Sequence, residues 1–85
     1  MPQVTVYSGP NCPYCDQAKA LLKEKNVQFD DYNVKADEIR LQEMLERSGG
    51  HRTIPQIFIN GQHVGGCDKL YALDKSGKLD ELLAQ

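Results

Sequence analysis

The sequence predicts one α/β domain on a four-stranded mixed sheet, and three observations predict it. Short runs with strand-like alternation take turns with runs whose apolar residues recur every three or four positions, in the order β-α-β-α-β-β-α. Asn60-Gly61 separates two strand-like runs, the strongest short-range hairpin signal. A length of 85 residues with 40% hydrophobic content supplies one modest core, so residues 1–85 read as a single domain.

Each element follows from its own residues. Val4 and Val6 alternate with Thr5 and Tyr7 as in a short strand, and Ser8-Gly9-Pro10-Asn11 is dense in turn formers. Cys15, Ala18, Leu21 and Leu22 then share one helical face while Lys19, Lys23 and Glu24 point away, with Asn26 as the stop. Gln28 to Val34 reads as a second strand, parallel to the first because a helix connects them. Asp37 caps a second helix whose Ile39, Leu41, Met44, Leu45 and Ser48 are expected on the core side, and Gly49-Gly50 ends it. Ile54 to Ile59 and Gln62 to Val64 form the hairpin, closed by Gly65-Gly66. Cys67-Asp68 opens a third helix through Leu70, Tyr71 and Leu73, and after Ser76-Gly77 a short amphipathic helix carries Leu79, Leu82 and Leu83.

Cys12-Pro13-Tyr14-Cys15 stands where the first strand gives way to the first helix. Residues three apart share a helical face, so the two sulfurs can close a small ring. Pro13 suits the first helical position, because its ring fixes φ and its missing N–H would have had no intrahelical partner. Cys12 then falls at the N-cap, where unpaired amides and the positive helix end favour a thiolate. A free cysteine's pKa of about 8.5 falls to roughly 3.5–7.5 in such settings. Cys15 lies one turn in, under the apolar face, so Cys12 is expected to attack and Cys15 to resolve. Half of a zinc site, a structural disulfide, or two unrelated buried cysteines are the competing readings. Zinc needs four ligands, and Cys67, His51 and His63 do not repeat the pair's spacing. A structural bridge across so short a loop would restrict the unfolded chain little.

The bulk properties exclude other classes. A formal charge of −2 with mixed signs offers no basic face for nucleic acid. No run reaches the ~18 apolar residues of a membrane span, and no basic-then-apolar leader is apparent, so the chain reads as cytoplasmic. Three cysteines are too few for a secreted disulfide scaffold, and reactive use of one pair in a reducing compartment fits better.

On this element order the sequence resembles the thioredoxin fold, and within it the small bacterial dithiol glutaredoxins. Three motifs carry the resemblance in order across nearly the whole chain: Cys12-Pro13-Tyr14-Cys15, Thr53-Ile54-Pro55 and Gly65-Gly66-Cys67-Asp68. The resemblance implies a monomeric glutathione-dependent thiol–disulfide oxidoreductase with Cys12 and Cys15 as the redox pair and no tightly bound cofactor or metal. Glutathione is then the co-substrate, and disulfide-containing or glutathionylated proteins the partners, ribonucleotide reductase among the candidates. It also implies a cis Ile54-Pro55 bond, and a groove lined by Tyr14, Thr53, Ile54, Pro55, Gly66, Cys67 and Asp68. The residue before a proline is pushed toward extended geometry, so Ile54 can offer its backbone to an extended ligand. The glycines let a ligand approach the main chain, so that amides at Cys67 and Asp68 can receive a carboxylate and Asp68 an ammonium. One departure stands out: the family commonly carries a lysine three residues before the first active-site cysteine, where this chain has Gly9. Arg40, with Arg52 behind it, is the candidate replacement cation. Cys67 is expected to be a small apolar filler, and His51 and His63 to do no chemistry. The class alternative is a carrier holding an iron–sulfur cluster between two protomers through Cys12 and glutathione, opposed by rigid Pro13 and by the competing thiol of Cys15.

Overall fold

A computed structural model describes residues 2–85. Strand β1 (Val4–Ser8) leads into helix α1 (Pro13–Glu24), then β2 (Asp30–Asn33), α2 (Glu38–Ser48), β3 (Gln56–Ile59), β4 (Gln62–Gly65), α3 (Cys67–Lys75) and α4 (Lys78–Leu83). The sheet order is β2-β1-β3-β4, with β1 parallel to β2 and antiparallel to β3, and β3 antiparallel to β4. Chain reversal at the hairpin falls on Asn60 (φ 52°) and Gly61 (φ 81°), the paired left-handed residues of a two-residue turn that matches strand twist.

Because β1 and β3 are central, both their faces are covered and every residue in them is buried. Alternation sorts their side chains between two layers. Val4, Val6, Ile57 and Ile59 pack with Ala18, Leu21 and Leu22 of α1, with Leu70 of α3 and with Leu79 of α4. Tyr7 and Phe58 face the other way, onto Val34 and Met44 of the α2 side. The α2 layer is part polar. Tyr7 Oη donates to Glu43 (2.6 Å) and accepts from Arg47 (2.7 Å), and Arg40 pairs with Glu43 (3.2 Å) while lying 3.8 Å over the Tyr32 ring. Burial, and then the bond to Glu43, push the Tyr7 hydroxyl above its ordinary pKa, whereas the Tyr7 bond first and Arg40 second hold Glu43 low.

Two expectations need correction. Ile39 is not core but 80% exposed, because it stands five residues before buried Met44, about 140° away around the helix. The buried stripe of α2 runs through Met44 and Ser48, with Leu41 and Leu45 at its margin. The second strand is shorter than its aromatic and acidic run: Gln28 and Phe29 precede it, and Val34 follows it as a core residue.

Candidate active site

The turn after β1 delivers Cys12 to the N-cap of α1, with extended backbone (φ −124°) and Pro13 opening the helix. The Cys15 amide donates to Cys12 Sγ at 3.1 Å, so the sulfur itself satisfies one of the helix's unpaired N–H groups. Cys12 and Cys15 are joined as a disulfide, with Cα atoms 5.2 Å apart. The pair is asymmetric in exposure. Cys12 is half-buried, while Cys15 is 1% exposed beneath the apolar face of α1. An outer sulfur on a helix N-terminus and an inner one in the core is the arrangement that lets the first meet a disulfide and the second displace it.

A groove of about 540 Å³ opens beside this pair. Tyr14 and Gln17 of α1 form one wall; Thr53, Ile54 and Pro55 form the floor; Gly66, Cys67, Asp68 and Tyr71 of α3 close the far side. The structure thus brings together all the groove residues expected from the sequence except Arg40, and the Ile54-Pro55 bond is cis. Gln17 and Tyr71 are additions. Tyr71 donates to the Gln17 carbonyl at 3.2 Å, tying α3 to α1 across the groove, whereas helical periodicity reports Tyr71 only as one more apolar position. A larger recess of about 670 Å³, at the opposite end of β1 against Pro2, Gln3 and Phe29, holds no cysteine or histidine.

The two glycines of the third motif serve different needs. Gly65 has φ 117°, a conformation closed to other residues, whereas Gly66 has an ordinary φ of −89°. A Cβ on Gly66 would lie 3.3 Å from Asp68 Oδ1 and 3.5 Å from the Pro55 carbonyl, so its bareness brings α3 close to the proline loop. Gly66 is also the N-cap of α3 and makes no side-chain capping bond, leaving first-turn amides facing the groove. Cys67 follows, a buried free thiol whose pKa is raised by burial first and by the Asp68 charge second. It remains a thiol at neutral pH, as a packing residue should.

Arg40 is not in the groove wall; its guanidinium is engaged by Glu43 and Tyr32 on the α2 side. A different cation stands at the departure from the family pattern. A Cβ on Gly9 would fall 2.9 Å from both Ile54 Cδ1 and Lys35 Cγ, so the Lys35 stem and the Ile54 side chain converge over the bare glycine. Among the described residues no group of three or more histidine, cysteine or acidic side chains gathers in metal-binding reach, and no helix is long and apolar enough to cross a membrane.

The glutaredoxin family model matches residues 4–64. Glutaredoxin 3 of Escherichia coli K12 is 51% identical over 83 residues, covering 98% of this chain and 99% of that protein. The solution structure of a Brucella melitensis glutaredoxin is 53% identical, with a TM-score of 0.81 over 95% of this chain and 87% of its own. A crystal structure of a buckwheat glutaredoxin–glutathione complex is 28% identical, with a TM-score of 0.85 over 95% of this chain and 76% of its own. A half-buried N-capping cysteine thus stands over a buried partner, near a cis-proline loop and a bare helix start, and by the family match and these identities the chain belongs to the glutaredoxin family of thiol–disulfide oxidoreductases.

Proposed function

We propose that the protein reduces protein disulfides and glutathione mixed disulfides at the expense of glutathione. The observation that carries this reading is the uncapped start of α3, which turns backbone N–H groups and the Asp68 carboxylate toward the groove beside Cys12. The γ-glutamyl end of glutathione bears a carboxylate and an ammonium on one carbon, and the two features answer those two charges. Thr53, Ile54 and Pro55 then receive the cysteinyl stretch as an added strand, and Tyr14 flanks it. The glutathione bound in the buckwheat relative supports the same reading for this chain.

In the monothiol route, Cys12 thiolate attacks the glutathione sulfur of a mixed disulfide, forming a new S–S bond as the target leaves as thiolate and takes up a proton. A second glutathione thiolate then attacks the sulfur of the Cys12-bound glutathione, releasing oxidised glutathione and restoring Cys12. In the dithiol route Cys12 bonds to one sulfur of a protein disulfide, and Cys15, giving up its proton, displaces the reduced target and closes Cys12 to Cys15. Two glutathiones reopen the ring. A potential near the roughly −200 to −230 mV of the class matches glutathione as reductant.

At the other end of the ligand the glycine carboxylate needs a cation. Lys35, with its stem over Gly9 and against Ile54, is better placed to supply it than Arg40, which is already paired. The cluster-carrier reading gains no observation here, since Cys15 lies close enough to Cys12 to compete for it.

The test is reduction of a small glutathione mixed disulfide with glutathione and its reductase, run beside the same assay with thioredoxin reductase in their place. Turnover with glutathione and little with thioredoxin reductase is expected; the reverse would overturn the assignment of reductant.

A further inference from the structure

The proline loop that floors the groove is held from behind. Gln56, the first residue of β3 and 2% exposed, donates through Nε2 to the Thr53 carbonyl at 2.9 Å and to Thr53 Oγ1 at 3.1 Å. A carbonyl can only accept, so the amide must turn its NH₂ toward Thr53 and its oxygen away. That oxygen meets His63 Nε2 of β4 at 2.7 Å. It too can only accept, so His63 carries a proton on Nε2. The imidazole is itself fixed, stacked on Phe58 with centroids 4.9 Å apart and with the His51 ring at 5.5 Å. Burial, with the His51 charge second, holds its pKa below the ordinary histidine value, so it is neutral at pH 7. One direction of hydrogen bonding therefore runs from the imidazole through the amide to both polar atoms of Thr53.

We propose that Gln56 and His63 are positioning residues for thiol–disulfide exchange, clamping the Thr53-Ile54-Pro55 backbone in the register that an extended disulfide-bearing peptide needs beside Cys12. Neither touches a reacting sulfur; both act through Thr53. The proposal rests on the reading of this loop as the peptide seat, but not on the identity of the reductant. Loosening the clamp lets the seat sample other backbone positions, and binding then bears the cost of selecting the right one. KM should move and kcat should not.

The experiment measures kcat and KM for reduction of a disulfide-bridged peptide with dithiothreitol as reductant, together with the imidazole nitrogen NMR spectrum at pH 8. Gln56→Met and His63→Leu are each expected to raise KM about tenfold with kcat within about twofold of wild type. His63→Gln, which keeps a nitrogen donor near the Nε2 position, should return KM to within about twofold. In the wild-type spectrum His63 is the Nε2–H tautomer, and in Gln56→Met it becomes a mixture. An unchanged KM in folded Gln56→Met, equal effects of His63→Gln and His63→Leu, or an Nδ1–H tautomer in the wild type would each overturn the proposal. Should Gln56→Met not fold, the wild-type tautomer and the two His63 variants decide. A protein active with dithiothreitol and inert with glutathione would remove the proposed reductant while leaving this test intact.

Discussion

Helices α1 and α3 both begin at the groove, one with its own sulfur over its first amides and the other with nothing. Cys12 is the N-cap of α1, and its Sγ takes the Cys15 amide at 3.1 Å. Gly66 is the N-cap of α3 and has no side chain to offer. Each helix also carries a cysteine in its opening residues, with opposite fates. The side chain of Cys12 turns back over the helix end, where positive potential favours a thiolate. Cys67 stands one position inside α3, and its side chain enters the core, where burial keeps it protonated. A helix N-terminus does not by itself make a cysteine reactive; one residue of register decides whether the sulfur lies over the helix amides, as in Cys12, or is buried against α1 with Gln17 Oε1 as its polar neighbour at 4.0 Å, as in Cys67.

The largest break in this comparison is removal of the capping sulfur. Cys12→Ser should lower turnover of a glutathione mixed disulfide at least about a thousandfold, since the hydroxyl is a far weaker nucleophile. Cys15→Ser should retain much of the activity, and equal losses in the two variants would overturn the division of roles.

Next comes filling the empty cap. The backbone at Gly66 is acceptable to serine, and the nearest atom to the new Cβ is a movable Asp68 oxygen. Gly66→Ser should stabilise the protein by only a few tenths of a kcal/mol in urea unfolding. By occupying amides that a carboxylate would use, it should raise KM for the glutathione mixed disulfide about tenfold. A stabilised protein with unchanged KM would mean that the open cap is not the carboxylate seat.

A smaller effect tests the far end of the groove. Lys35→Ala should raise the same KM by about two- to fivefold at low salt, with the difference shrinking as salt screens the pair. Arg40→Ala should leave KM nearly unchanged and act on stability instead; the opposite pattern would move the cation to α2.

The smallest expected effect is on Cys67. Its folded pKa is raised above the unfolded value, so the folded state binds more protons between the two. The stability this contributes is fully present below about pH 8.5 and is lost as pH rises through the folded pKa. Cys67→Ala should flatten the alkaline limb of a stability–pH curve, and a limb of unchanged slope would mean that Cys67 is not the group titrating there.

Much of the site was legible because local rules set it. The Cys12 cap, Pro13 at the helix start, the Asp37 cap and the Asn60-Gly61 turn are decided within four residues of chain, and the structure has each of them. The pairing of β1 with β3 depends on residues some fifty positions apart, and no periodicity reports it. Tyr71 and Gln17 meet only where α3 packs against α1, whereas Lys35 reaches Gly9 because each stands just past the end of a strand of the parallel β1–β2 pair, a contact that periodicity does not report. Ile39 lies on the far side of α2 from Met44 and Ser48, and its apolar side chain by itself does not report which face it is on. His63 reads as idle in the sequence for the same reason that Tyr71 reads as ordinary: its partner Gln56 lies on the neighbouring strand, across the hairpin turn.

The rims of the sheet have a consequence of their own. At one border stands a four-residue strand bearing Asp30 and Asp31; at the other, an equally short one whose ladder slips between Ile57 and Phe58. Brief, charged or irregular borders make poor templates for a stranger's backbone. An extended peptide therefore finds little to hold at either border of the sheet, and the main chain beside the cis Ile54-Pro55 bond, on the groove near the two sulfurs, is the better place for it to settle.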